Sequence, residues 1–441
     1  MSNPVVAVLI LVLTVSLSLR RPHFWNFQVD HAGAAVLGAL ACIAVGLVSI
    51  SDAAVSIVFL LRPVVTIASL MTITLIAEDA RLFTLMSRTI AKSAGSDARK
   101  LFALLFILGA VTGTVFTNDA AVLIFTPLVF LLIEEVAGPD WTLRNKLPFY
   151  FAILYVANVG GAFIISNPIN IVASEFFGVR FLEYAKWMFI PAIVSIIVSY
   201  IGLRIFFRKD MPETFQPLSY PTEAAQAPSK PMLTICILML VVTLLALFTQ
   251  ELTGFPTWVI VFVSALILAA CHQLLGESSL PSIMKKVAWD ELVFVVSIFI
   301  VVAGIRATGL TAQLAGLFGR MTDDSFLVLS TTMSLVAGTM SAMMNNHPTV
   351  DTMAMVIQEM NLPLMESRLL LYSALIGGDL GPKMIPIGSL AALIWFRLLR
   401  DRGVNVSYWT YVKVGVPVSL AAIILAVITL NIQVWIRNWL Q

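Results

Sequence analysis

Apolar stretches of the length that crosses a bilayer fall at 4–19, 32–50, 62–80, 188–207, 231–250, 255–273, 288–306 and 412–436. Each predicts a membrane helix, since about 20 residues at ~1.5 Å rise cover the hydrocarbon core. The first stretch carries its charges, Arg20 and Arg21, after the apolar run, with no small-residue cleavage site. It reads as a membrane helix and not as a removed leader.

Four further segments are apolar but interrupted. Residues 101–135 break at Thr117-Asn118-Asp119, and 326–360 at Asn345-Asn346-His347-Pro348. Residues 148–177 break at Ser166-Asn167-Pro168, and 368–398 at Gly377-Gly378-Asp379-Leu380-Gly381-Pro382-Lys383. A helix facing lipid cannot break, because each freed backbone group costs several kcal/mol there, so such breaks line polar cavities. Two arms around an Asn-rich tip predict a re-entrant hairpin. A longer stretch with a central Gly/Pro/Asn break predicts a discontinuous helix.

The order recurs. The fold class expected is an all-α polytopic membrane protein of two inverted-topology repeats, each with a re-entrant helical hairpin and a broken transmembrane helix. The first repeat is 1–207 (hairpin 101–135, broken helix 148–177) and the second 231–441 (hairpin 326–360, broken helix 368–398). An odd number of crossings per half inverts the second. Breaks at matching positions of two halves point to a transporter's binding site. Residues 208–230, with four prolines, read as the linker.

Composition agrees. Hydrophobic residues make up 59% and charged ones 12%, with mean hydropathy +0.95, against about 25% charged in soluble domains. That excludes a soluble enzyme, a nucleic-acid binder and a secreted disulfide scaffold. Cys42, Cys236 and Cys271 are scattered through apolar segments without metal-ligand spacing, as expected of thiols packed as small hydrophobes. With the N-terminus placed on one side, 19 of the 27 basic residues fall on the other. By the positive-inside rule that side is cytoplasmic. The linker then lies in the cytoplasm and both termini outside, in a multi-pass cell (inner) membrane protein. The first hairpin enters from the cytoplasm and the second from outside.

Asp119, Asp351, Asp379 and Lys383 lie within the interrupted segments. A charge at bilayer depth costs at least about 2.5–3.5 kcal/mol, so such residues mark an ion or solute path. Asp119 and Asp379 belong to opposite halves at positions expected to meet; each can also cap a half-helix N-terminus. Lys383, four residues after Asp379, either neutralises it or has a role of its own. The amides of Asn118, Asn167, Asn170, Asn345 and Asn346 all fall at interruptions and offer donors and an acceptor without fixed charge. With the hydroxyls of Thr117, Ser166 and Ser389, they suit a small polyhydroxylated or oxyanionic solute. His347 reads as a hydrogen-bonding turn residue or a proton relay. No protease or phosphate-loop signature occurs, which favours a transporter over an enzyme, and broken helices favour alternating access over a channel.

At these same residues the chain resembles the arsenite efflux permeases (ArsB type) of the ion transporter superfamily. The matching strings are FTNDAAVLIFTPLVF, SNPINIVASEFFGVRFLEYA, MNNHPTV and IGGDLGPKMIPIGSLAALIWF, and their order extends over nearly the whole chain. The resemblance implies export of arsenite or antimonite, driven by proton entry or assisted by a separate cytoplasmic ATPase subunit. Solute contact is then expected of Asn118, Asn167, Asn170, Asn345, Asn346 and Ser389, and proton coupling of Asp119, Asp379 and Lys383. No cofactor, bound metal or nucleic acid is called for. Arsenic prefers sulfur, yet no cysteine lies at an interruption, so the solute is expected as a neutral hydroxide held by hydrogen bonds. The runner-up is a Na⁺/H⁺ antiporter or Na⁺-coupled anion transporter of the same superfamily.

Overall fold

The computed structural model describes residues 3–20, 23–24, 27–156, 161–216, 230–276, 278–321 and 325–440. The first half contains α1 (Pro4–Arg20), α2 (His31–Ala44), α3 (Ile50–Asp79), α4 (Leu82–Ala94), α5 (Ala98–Val115), α6 (Asn118–Val136), α7 (Leu143–Val156), α8 (Pro168–Phe176) and α9 (Phe181–Phe206). A two-residue antiparallel ladder of β1 (His23–Phe24) and β2 (Phe27–Gln28) joins α1 to α2. The second half contains α10 (Lys230–Phe248), α11 (Gln250–Thr253), α12 (Thr257–Leu275), α13 (Leu280–Lys286), α14 (Trp289–Ala307), α15 (Leu310–Gly319), α16 (Phe326–Met344), α17 (Asn346–Glu359), α18 (Leu364–Leu380), α19 (Leu390–Arg400) and α20 (Tyr408–Leu440). Among the described residues, seven helices are long and apolar enough to cross a membrane, and α13 with α14 forms an eighth candidate bent by 40°.

All four interruptions appear as breaks between helices. α5 and α6 are separated at Phe116-Thr117, and α16 and α17 at Asn345. α7 and α8 are separated by a segment ending in a 3₁₀ turn, Ile164–Ser166, and α18 and α19 by two such turns, Gly381–Lys383 and Pro386–Gly388. One boundary departs from the apolar-run expectation of spans at 32–50 and 62–80. α2 stops at Ala44, before Gly46 turns left-handed at φ +75°. Ser49 then caps α3, its Oγ accepting from the Asp52 amide at 3.0 Å. Helix α3 runs on for 30 residues with Pro63 inside it. The amphipathic α4, which buries Leu82, Phe83, Ser87, Ala91 and Ala94, has too many polar residues to show as an apolar run.

The packing is reciprocal between the halves. α2 packs on α14 and α12 on α3, α6 on α19 and α17 on α8, while α9 packs on α20. Peripheral helices keep Leu61, Ile197, Leu238 and Leu266 exposed, whereas Tyr150, Phe151 and Trp395 are fully buried where α7 meets α19. α18 lies against α16 with backbones touching. A Cβ on Gly377 would sit 2.0 Å from the Ser334 carbonyl oxygen, and one on Gly381 2.2 Å from that of Gly338. Gly377 on α18 and Gly381 just past its end thus meet Ser334 and Gly338, small residues at i and i+4 on α16. The start of segment 208–230 is docked: Phe215 N donates to Ser96 O at 3.0 Å and Gln216 N to Val136 O at 2.8 Å. Residues 217–229 lie outside the described residues.

Candidate functional site

The two broken helices meet at Asp379. Asn167 is the N-cap of α8, its Oδ1 accepting from the Ile169 amide at 3.2 Å, and Pro168 at the first helical position supplies a preset φ. The same side chain turns its Nδ2 to Asp379 Oδ1 and donates to it. Asn170, one turn into α8, donates from Nδ2 to Asp379 Oδ2 at 3.4 Å and lies 3.4 Å from Ser166 Oγ. Asn170 Oδ1 is buried and has no hydrogen-bond partner.

Asp379 occupies the last turn of α18, where the helix dipole disfavours a negative charge. The N-terminus of α8, with its positive end and two amide donors, offsets that cost. Gly161 allows the close approach, because a Cβ there would lie 2.8 Å from Asp379 Oδ2. A cavity of about 20 Å³, lined by Gly161, Ser195, Ile376, Asp379 and Leu380 among others, opens beside the carboxylate; it holds about one water. Lys383 is buried and donates to the Tyr155 carbonyl, with its ammonium 5.3 Å from the Tyr155 ring centroid. Arg368 braces the crossing from outside. It grips both Glu183 carboxylate oxygens at 2.8 and 2.9 Å and donates to the carbonyls of Phe177 and Gly178 at 3.2 and 3.0 Å.

The break between α16 and α17 is built differently. Asn345 sits at φ +80° and caps α17, its Oδ1 accepting from Asn346 N at 2.5 Å. Asn346 Oδ1 accepts from His347 N at 3.0 Å. Ser389 likewise caps α19, accepting from Ala392 N at 3.1 Å. Asn345, Asn346 and Ser389 therefore spend their oxygens within their own turns, whereas Asn167 and Asn170 both reach Asp379. The side chains of Asn118 and Asp119 lie outside the described residues. Their neighbour Thr117 has a buried Oγ1 without a partner and lines a cavity of about 350 Å³. That cavity also touches His31, Thr74, Glu78, Lys286, Asp290 and Glu291.

Among these residues His31 and Glu291 form a buried cluster with His347. Glu291 is buried in the first turn of α14, with its Oε2 3.3 Å from His31 Nε2 and its Oε1 3.5 Å from His347 Nε2. The sequence signal was the acidic pair Asp290-Glu291 at the mouth of an otherwise apolar span.

A membrane protein of packed helices whose broken helices share one buried carboxylate has the architecture of a transporter. The chain belongs to the arsenical pump membrane protein family, whose model matches residues 6–436. It is 28% identical over 430 residues to an arsenical pump membrane protein of Escherichia coli, covering 96% of this chain and 97% of that one. It is 24% identical over 449 residues to a 46 kDa membrane protein of Mycobacterium leprae, covering 98% of each. The YdaH transporter of Alcanivorax borkumensis superposes with a TM-score of 0.60 at 14% identity, covering 99% of each chain. MtrF of Neisseria gonorrhoeae superposes with a TM-score of 0.53 at 11% identity, covering 98% of this chain and 94% of that one. The protein is a multi-pass membrane transporter for arsenicals.

Proposed function

We propose that the chain exports arsenite or antimonite from the cytoplasm in exchange for protons, across a cell membrane with both termini outside. The observation that carries this is the pairing of Asp379 with the Asn170 amide, whose Oδ1 is a buried acceptor without a partner. Arsenous acid is a neutral trihydroxide, so it brings O–H donors to such an acceptor. The amide donors of Asn167 and Asn170 suit an ionised Asp379, which only accepts. A proton on that carboxyl needs an acceptor instead, and Asn170 presents one, its Oδ1, when its amide turns over. Solute hydroxyl and carboxyl proton therefore compete for the same acceptor, which is the condition for exchange. Asn118, Asn345, Asn346 and Ser389 are assigned to the solute path at the remaining breaks, with Asp119 as the first half's proton carrier and Lys383 setting the charge around Asp379. The 350 Å³ cavity reaching Thr117 is the cytoplasmic access. The reciprocal packing of the halves supports the inverted repeat and the hairpins as re-entrant elements.

The test is arsenite accumulation in everted membrane vesicles with and without an acid-inside gradient, using wild-type protein, Asp379→Asn and Asp119→Asn. Gradient-dependent accumulation lost in both variants supports the exchange. No arsenite uptake by correctly inserted protein overturns the solute. Accumulation that requires Na⁺ in place of K⁺ would move the chain to the sodium-coupled alternative. Accumulation that persists without a proton gradient but needs ATP and a soluble subunit would point to an ATPase partner.

A further inference from the structure

Glu291 is 7% exposed, and it lies between two buried histidines from different parts of the chain, His31 opening α2 and His347 at the second hairpin tip. Phe294 packs on both imidazoles, with centroids 5.4 Å from His31 and 5.8 Å from His347, so the three groups share one apolar collar. The cluster stands between two spaces. On one side is the 350 Å³ cavity that touches His31, Asp290 and Glu291. On the other is a space of about 20 Å³ lined by His31, Glu291, Phe294, Met344 and Asn345, directly behind the hairpin tip.

We infer that His31, Glu291 and His347 form a second proton-binding site, loaded from the large cavity and controlling the seating of the second hairpin tip. Imidazole is the side chain that gains and loses charge near neutral pH. With both imidazoles charged, Glu291 makes two ion pairs, at 3.3 and 3.5 Å, and clamps His347, and with it the start of α17, onto α14. Loss of a proton weakens one arm of that clamp and frees the tip, whose backbone at Asn345 is already held at positive φ. The other charged groups nearby are Asp290 on α14, 3.6 Å from His31 Nε2, Glu78 at the end of α3, Lys286 at the end of α13, and Asp351 one turn along α17. Helix α1 before Arg20 and helix α15 carry no titratable side chain. Asp351 is 2% exposed with Oδ2 lacking a donor, which makes it the next acceptor for a proton passed inward from His347. The cluster deepens the proton-exchange proposal and rests on it: a proton that seats or releases the hairpin tip changes which side the solute path opens to.

Proteoliposomes carrying wild-type protein, Glu291→Gln, His31→Gln or His347→Gln separate coupling from solute handling, with arsenite as the probe. Two rates are read in each: accumulation driven by an imposed pH gradient, and arsenite–arsenite exchange at equal pH on both sides. Exchange needs the solute site but no net proton movement. The expected result is a fall of at least about tenfold in gradient-driven accumulation, with exchange within about twofold of wild type. The inference is overturned if none of the three variants shows that split, whether both rates persist or both vanish. Wild-type protein that exchanges arsenite yet ignores the gradient would overturn the antiport reading itself, a result distinct from the first.

Discussion

Asn167 donates its side-chain amide to the carboxylate of Asp379 across 212 residues of sequence while its carbonyl oxygen caps α8. One amide thus ties the break in the first half to the break in the second. Its oxygen holds a helix start, and its nitrogen donates to a carboxylate at a helix end. Neither polar group survives well at membrane depth without the other, because an unpaired buried charge is far costlier than a paired one.

Asn167→Ala removes both bonds. The lost cap costs about 0.5–2 kcal/mol and the lost donor to a charged group about 1.5–3 kcal/mol. The variant should melt at a clearly lower temperature in detergent and lose gradient-driven arsenite accumulation. Asn167→Asp keeps the cap but sets carboxylate against carboxylate, so it should lose transport more completely than stability. Thermal melting of both purified variants beside vesicle uptake checks the ordering.

Gly161→Ala places a methyl group 2.8 Å from Asp379 Oδ2 unless the backbone shifts. The neighbouring cavity of about 20 Å³ offers room for about one water and little for rearrangement. The expected outcome is a drop of at least about tenfold in transport rate with near-normal membrane abundance. Wild-type transport by the variant would show that Asp379 and the 161 backbone can move apart freely.

Arg368 Nη1 meets both carboxylate oxygens of Glu183 while its Nη2 reaches two carbonyls at the end of α8. Lysine offers a single point donor and cannot hold the carboxylate and both carbonyls at once. Arg368→Lys should therefore lower stability by about 1–2 kcal/mol, on the scale of a lost charged hydrogen bond. A double-mutant cycle with Glu183→Gln should show coupling between the two positions. Additive effects would mean the pair is incidental to how α8 and α18 are held.

Most of the helical layout was legible in the sequence because lipid imposes a simple rule: long apolar runs cross, and polar interruptions need company. The breaks at Asn167, Asn345 and Asp379 follow from that rule. What escaped it is tertiary. Nothing local says that Ser389 and Asn345 spend their oxygens as caps, or that the Lys383 ammonium turns to the Tyr155 carbonyl. The His31–Glu291–His347 cluster was invisible for a similar reason, since its members come from three helices and only His347 lies at an interruption. The merging of 50–61 into α3 was missed because Ser51, Asp52 and Ser56 dilute the apolar run, although a helix tolerates them where they face outward.

The cysteines give a last test of how the solute is held. Cys42, Cys236 and Cys271 are free, the first two are buried, and none lines the cavities at Asp379 or Thr117. Cys42 packs as a core atom, its Sγ 3.0 Å from where a Cβ on Gly304 would stand. If trivalent arsenic travelled as a thiolate complex, at least one of them would have to reach the solute path. If it travels as a hydroxide held by amides and carboxylate, all three are dispensable. Replacing them together with alanine should cost some stability, because small cavities open in the core. Arsenite transport should nevertheless stay within about twofold of wild type and become indifferent to membrane-permeant thiol reagents. Abolished transport in a cysteine-free protein that still folds and inserts would bring sulfur back into the mechanism and displace Asn170 as the solute's acceptor.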